Sequence, residues 1–242
     1  MERRYTSEVV QVAALPESTV AAMAGLYLES YDGTSESLFR DDLACKDEAI
    51  LIYCDAELVG FTLLQVFTTH WQQRRVRIIY SGDTVVRPTH WGQQELAFAW
   101  IARAGQIKQH EPVLPLYWFL LVKGHRTFKY LSVFAKSFHP HWSAPHADLK
   151  SLADQLASDK FGRDYDPGTG IVSFTPSRGH LKESIAYSSA QEMTKPATRF
   201  FFQQNPHYQL GHELVCLCEL ELANLKPLTG RLFRKGEEVA CQ

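Results

Sequence analysis

Long hydrophobic runs are missing from this chain of 242 residues. None approaches the ~18 residues that a membrane span needs. The opening MERRYTSEVV also lacks the apolar centre of a secretory signal, so a cytoplasmic location is the expectation. An excess of one charge is missing too. Twenty-five Lys and Arg against 27 Asp and Glu give −2, which excludes a bulk attraction to nucleic acid or anionic lipid and leaves only local patches. Cysteine is scarce. Cys45, Cys54, Cys216, Cys218 and Cys241 are odd in number and follow no small-scaffold spacing, so they read as reduced thiols. Cys216 and Cys218 fall two apart in an apolar strand-like run and share a side, where buried packing is favoured over zinc. No internal repeat or low-complexity tract breaks the chain.

What is present is ordinary globular composition, 45% hydrophobic and 21% charged, at a length that suits one domain. Residues 8–14 read as a strand. Pro16 then opens a helix with Val20, Met23, Ala24, Tyr27, Leu28 and Tyr31 on one face, broken by Asp32-Gly33. A shorter helix over 35–45 is capped by Ser35 or a nearby polar residue. Three β-rich runs follow, 49–54, 58–67 and 76–86, as an antiparallel meander. Asp55-Ala56-Glu57 is a tight hairpin, and 68–75 a longer exposed connection. A helix after Gly92 carries Ala97, Trp100, Ile101 and Ala104 inward, with Gly105 ending or weakening it. LYWFLLV at 116–122 reads as a strand covered on both faces. Helices are expected at about 127–138 and 147–160, and strands at 170–174 and 213–220. The expected organisation is a single domain over 1–242, with a core at about 8–174 and a C-terminal elaboration at about 175–242.

This order of elements resembles the GNAT superfamily of acyl-CoA N-acyltransferases, over roughly the first 140 residues best. The implied fold is α/β (α+β), with a mixed, mostly antiparallel central sheet flanked by helices. The family's turn after its fourth strand reads Val-x-Pro, two variable residues, Arg or Gln, Gly, any residue, then Gly or Ala. Val86, Pro88, Trp91, Gly92 and Gln94 match its frame, with Trp91 and Gln94 departing from the usual types. Such a turn offers backbone N–H groups at a helix N-terminus to a pyrophosphate. The resemblance therefore assigns donor binding to Thr84, Val85, Val86, Arg87, Trp91, Gly92, Gln93 and Gln94, with Lys123 and Arg126 across the groove. Arg87 and His90 can offset the departures or be plain turn residues. The pantetheine arm would pair with the backbone of Thr84 to Val86.

In the same frame Asp83, in Tyr80-Ser81-Gly82-Asp83-Thr84, stands where relatives place the base that takes the amine's proton. Its alternative is a strand-end carboxylate bonded to backbone. Period two puts Ser81 on the same face as Asp83, able to orient it or the substrate. Counting from Lys123, Tyr130 falls at the position of the tyrosine that protonates the leaving thiolate, and a core tyrosine is the alternative. Lys123, His125, Arg126 and Lys129 form a basic cluster suited to phosphate or an acidic carrier protein. Glu29 and Tyr31, with Asp32, close the first helix where relatives wall the acceptor site. The run from His139 to His146 is read as a loop lining the acceptor cleft, in preference to a metal site.

The resulting expectation is an N-acyltransferase that moves an acyl group from acetyl-CoA or a longer acyl-CoA, or from acyl carrier protein, to a small-molecule amine. No metal is expected, and the chain is a monomer or homodimer. A non-catalytic GNAT-like module binding the thioester or its carrier is the competing reading. A metal-dependent hydrolase built on the histidine loop is a third.

Overall fold

The computed structural model describes residues 3–240, so Cys241 lies outside the described residues. Strand β1 (Tyr5–Gln11) leads into helix α1 (Glu17–Ser30), the short strand β2 (Tyr31–Asp32) and helix α2 (Glu36–Leu43). Ser35 caps α2, its hydroxyl accepting from the Leu38 N–H at 3.2 Å. The meander follows as β3 (Glu48–Cys54), β4 (Glu57–Trp71) and β5 (Arg74–Val86). Asp55 and Ala56, with φ of 48° and 72°, make the two-residue turn that matches strand twist.

The second hairpin corrects an expectation. The segment 68–75 is not a loop, because Thr68 pairs with Arg77 and Trp71 with Arg74 around a turn of Gln72 and Gln73, at φ 48° and 63°. The Gln-Gln pair lacks the Asn-Gly or Asp-Gly signature of such turns, and the strands there are largely polar because they run out into solvent.

Next come α3 (Glu95–His110), β6 (Leu116–Val122), α4 (His125–Phe134) and α5 (Ala147–Phe161), then the two-residue strands β7 (Tyr165–Asp166), β8 (Ile171–Val172) and β9 (His180–Leu181). Helices α6 (Glu183–Ala186), α7 (Ala190–Met193) and α8 (Pro196–Gln204), strand β10 (Glu213–Glu219) and helix α9 (Pro227–Val239) complete the described chain. The main sheet runs β1-β3-β4-β5-β6-β10-β8-β7, antiparallel except for β5 beside β6. This mixed, mostly antiparallel sheet flanked by helices is the expected fold class. The C-terminal segment contributes β10 to it, paired with β6 with Leu217 opposite Phe119, while β9 pairs with β2 in a separate two-stranded sheet.

Alternation along the strands sorts their side chains to two faces. One face is continuous, with Ile50, Leu64, Ile79, Trp118, Leu120 and Cys216 packing against Trp100 of α3, Phe128 of α4 and Phe233 of α9. The other is divided. Leu51, Phe61, Leu63 and Val85 pack under α1 and α2, while Val76, Ile78, Tyr80, Phe119, Val215 and Leu217 pack under α5. The break between these two clusters falls where β5 and β6 end.

Gly105 does not end α3, which continues to His110. It lets α9 approach: a Cβ at Gly105 would meet the Phe233 carbonyl oxygen at 2.0 Å, and one at Gly236 the Ala102 oxygen at 2.0 Å. Both obstacles are backbone, so neither rotates away. Gly105→Ala is expected to cost about 1–3 kcal/mol through overpacking, seen as a lower urea midpoint at unchanged slope. An unchanged midpoint would contradict this crossing.

Candidate active site

Strands β5 and β6 pair in parallel from Arg77 opposite Leu116 to Ser81 opposite Leu120, and then part. On its other side β5 slips register against β4: Leu63 faces Gly82, Phe61 faces Val85, and Asp83 and Thr84 share the position opposite Thr62. This is a β-bulge, with Asp83 in the left-handed region at φ +39°. The extra residue resets the alternation. Ser81 points to the continuous face, where its oxygen accepts the Trp118 indole N–H at 2.6 Å, and Thr84 bonds Thr62 at 2.8 Å. Asp83 instead faces Asp42, Lys123 and Lys46. The expectation that Ser81 and Asp83 share a face is thus corrected, because period two does not survive a bulge.

The parting strands and the break in the apolar face open a cleft of 540 Å³. Its floor is charged. Lys46, 6% exposed, pairs with Asp42 and lies 5.5 Å from the centre of the Tyr80 ring. Lys123, just after β6, and Glu213 from β10 face each other at 3.5 Å, and Lys123 lies 5.2 Å from the Tyr31 ring centre. Loss of solvent, and then the like charge of Asp42, raise the Asp83 carboxyl to about 7 against the pull of Lys123 and Lys46. Burial raises Glu213, opposed by Lys123. Burial would lower Lys123, but Glu213, Tyr27 and Asp83 hold it above its ordinary value. Burial and then nearby anions push the Tyr27, Tyr31 and Tyr80 hydroxyls up. The cleft therefore holds a carboxyl that changes charge near neutrality beside fixed positive charge.

The turn after β5 has several of its groups already engaged within the protein. Gln93 places its side-chain oxygen on the Glu95 N–H at 2.5 Å, filling a donor at the start of α3. Glu95 adds a carboxylate to the first turn, accepting from Ser7 at 2.6 Å. Gly92, at φ +91°, has open space around it, and Gln94 stands at the N-cap of α3 without a side-chain cap bond. Arg87 is held by Glu29 at 3.1 Å and by Glu57, and His90 by the Tyr5 hydroxyl at 3.0 Å. The Trp91 indole N–H occupies the Val86 carbonyl at 2.8 Å, on the edge where a pantetheine arm would pair. The Arg126 guanidinium covers the Trp91 ring at 4.3 Å and donates to the carbonyls of Ile185 at 2.5 Å and Tyr187 at 3.1 Å. His125 is buried 3.6 Å from Glu192. The expected basic cluster is therefore largely committed to protein partners, which offset its charge locally.

Several other expected positions move. Tyr130 lies outside the cleft lining and packs on Phe134 at 5.4 Å against the continuous face, so it does not converge with Asp83. The helical phase set by Phe128, Leu131 and Phe134 turns it there. Tyr31, Thr84, Val85 and Val86 line the cleft, whereas Glu29 turns to Arg87. The loop 139–146 lines none of it: the His139 backbone bridges to Leu217, His141 stacks on Trp142 at 4.3 Å, and His146 bonds Ser137 at 2.9 Å. Asp42, Lys46, Lys160, Arg178 and Glu213 escaped sequence reasoning. Only Glu213, a carboxylate opening an apolar strand, carried a readable sign.

No family model and no curated protein matches the chain. Among solved structures, it aligns with a probable N-acyltransferase from Enterococcus faecalis V583 at 12% identity and TM-score 0.41, over 56% of this chain and 33% of that one. It aligns with a GCN5-related N-acetyltransferase from Kribbella flavida at 14% and 0.39, over 55% and 34%. A GNAT family N-acetyltransferase from Escherichia coli, in complex with CoA, aligns at 12% and 0.39, over 55% and 70%. The alignment spans about a third of the length of the first two. The likeness is one of general architecture, and residue roles rest on the cleft itself.

Each side chain of the Lys123–Glu213 pair is 11% exposed. Lys123→Met would strand a buried carboxylate and is expected to cost about 3–5 kcal/mol. Adding Glu213→Leu should recover most of that loss in urea unfolding; a double variant as unstable as the single would contradict the pairing.

Proposed function

We propose that the cleft transfers an acyl group from a thioester to an amine. The observation that carries the reading is a carboxyl raised to about 7, set on a bulge beside the β5 edge that β6 leaves unpaired. An amine enters as ammonium, and Asp83 takes one proton so that nitrogen can attack the thioester carbonyl. The C–N bond forms and the C–S bond breaks. Of the two protons nitrogen loses, one passes through Asp83 to solvent and the other ends on the departing thiolate. Backbone N–H groups on the free β5 edge supply donors for the tetrahedral oxyanion. The Gln93 bond to the Glu95 N–H and the Glu95 carboxylate in the first turn of α3 favour a thioester whose carrier needs no pyrophosphate seat there, as on acyl carrier protein.

The Trp91 bond to Val86 and the Gln93 bond to Glu95 favour a second reading, a module that binds a thioester carrier without turnover. Thiol release with acetyl-CoA, longer acyl-CoAs and acyl carrier protein across a panel of amines separates the two. For the enzyme, the rate should rise with pH as Asp83 loses its proton and level off above about 7, because only the carboxylate accepts a proton. Asp83→Asn should lower the rate by about 10²–10⁴-fold and remove that limb. Absence of thiol release from every donor leaves the binding module.

A further inference from the structure

Past Ser81 the β5 edge has no strand beside it, yet it is not bare. The Arg87 N–H donates to the Val59 carbonyl of β4 at 2.9 Å, so by alternation the Val86 carbonyl faces the open side. That carbonyl already accepts the Trp91 indole N–H at 2.8 Å, and the indole lines the cleft. Arg126, the second residue of α4, holds its guanidinium 4.3 Å from the centre of that ring. The same guanidinium donates to the carbonyls of Ile185 at 2.5 Å and Tyr187 at 3.1 Å, and lies 3.7 Å from the Glu192 carboxylate of α7.

One side chain thus joins three segments that are distant in sequence. Residues 183–193, which include the one-turn helices α6 and α7, contribute Ile185 to the cleft lining, and only Ala186 among them is buried. Beyond the residues adjoining them in the chain, their hydrogen bonds and ion pairs run, among the described residues, to Arg126 and His125. A segment so thinly packed and anchored at one place belongs to the part of a fold that opens first. The two ends of the arrangement depend on each other. A ligand chain that adds to β5 as an extra strand needs the Val86 carbonyl, and it gains that acceptor only when the indole moves away. Moving the ring removes the surface on which the guanidinium stacks.

Resting on the acyl-transfer reading, we propose that Trp91 and Arg126 form an autoinhibitory latch: Trp91 occupies the β5 edge in place of the thioester's amide-bearing arm, and Arg126 ties it to residues 183–193. In the closed form the open strand edge is covered by the protein's own side chain, which also guards it against pairing with another chain. An incoming arm displaces the indole from Val86, the guanidinium loses its stack, and 183–193 loosens. Donor binding and opening are then coupled, and each favours the other by the same factor.

Hydrogen exchange followed by mass spectrometry, with S-acetylpantetheine as the probe, reads both ends of the latch, and calorimetry gives the affinity. Saturating probe should slow exchange at residues 84–86 and speed it at 183–193. Trp91→Phe keeps a ring for the guanidinium and frees the Val86 carbonyl. It should bind the probe about 2–10-fold tighter, the worth of one neutral hydrogen bond, with 183–193 as protected as in the parent before probe is added. Arg126→Gln should bind tighter by a similar factor and exchange faster at 183–193 with no probe present. Trp91 and the Arg126 side chain are 39% and 34% exposed, so both variants should fold. Unchanged or weaker binding in Trp91→Phe, probe that protects 183–193, or no measurable binding in any of the three proteins would overturn the proposal. The two readings fail separately. Tighter probe binding by Trp91→Phe with no acyl product from any amine would remove acyl transfer and keep the latch; thiol release with the same probe affinity in parent and variants would do the reverse.

Discussion

A single additional residue in β5 governs what the cleft can be. Because Asp83 and Thr84 together oppose Thr62, the strand turns over at that point. Thr84 and Ser81 keep their hydroxyls on the side of the continuous core, and Asp83 is presented on the opposite side, in the cleft to which α2, the residue after β6 and β10 bring Asp42, Lys123 and Glu213. Without the bulge a carboxylate at this position would be driven into the core of Trp118 and Trp100, where its charge would find no partner. Left-handed φ at Asp83 is the local cost, tolerable for a short polar side chain that favours this region.

Charge placement follows from that turn. The floor carries carboxylates and ammoniums close enough to compensate one another, so the attraction within each ion pair offsets part of its own desolvation. Asp83 is the exception: the cations near it are already engaged by Asp42 and Glu213, so loss of solvent prevails and its affinity for a proton rises. Titration near neutrality is therefore a property of the network. The interrupted face of the sheet has the same origin, since side chains that keep their charge cannot continue an apolar layer.

Much of the scaffold was legible. Helical spacing from Val20 to Tyr27, the Ser35 cap, the β-rich runs and the doubly apolar strand at 116–122 all rest on local periodicity, and the structure holds them. What escaped depends on contacts distant in sequence. Gly105 looks like a helix end until α9 is laid across it. Gln72-Gln73 carries no turn signature. In the site, Asp83 was identifiable from its strand and resemblance, but its facing was not, because a bulge is invisible to strict alternation. Tyr130 had the right count from Lys123 and the wrong helical phase. Lys46 meets Asp83, and Glu213 meets Lys123, only after segments far apart in the chain are brought together, and of the two only Glu213 carried a local sign, as a carboxylate at the start of an apolar strand.

The proton affinity of Asp83 is the quantity on which the account turns, and carbon-13 NMR of side-chain carboxyls reads it directly, with Asp83→Asn supplying the assignment. The account predicts a midpoint near about 7, with the resonance largely protonated at mildly acidic pH. A midpoint near 3.8, the ordinary aspartate value, would contradict it and leave the cleft without its base.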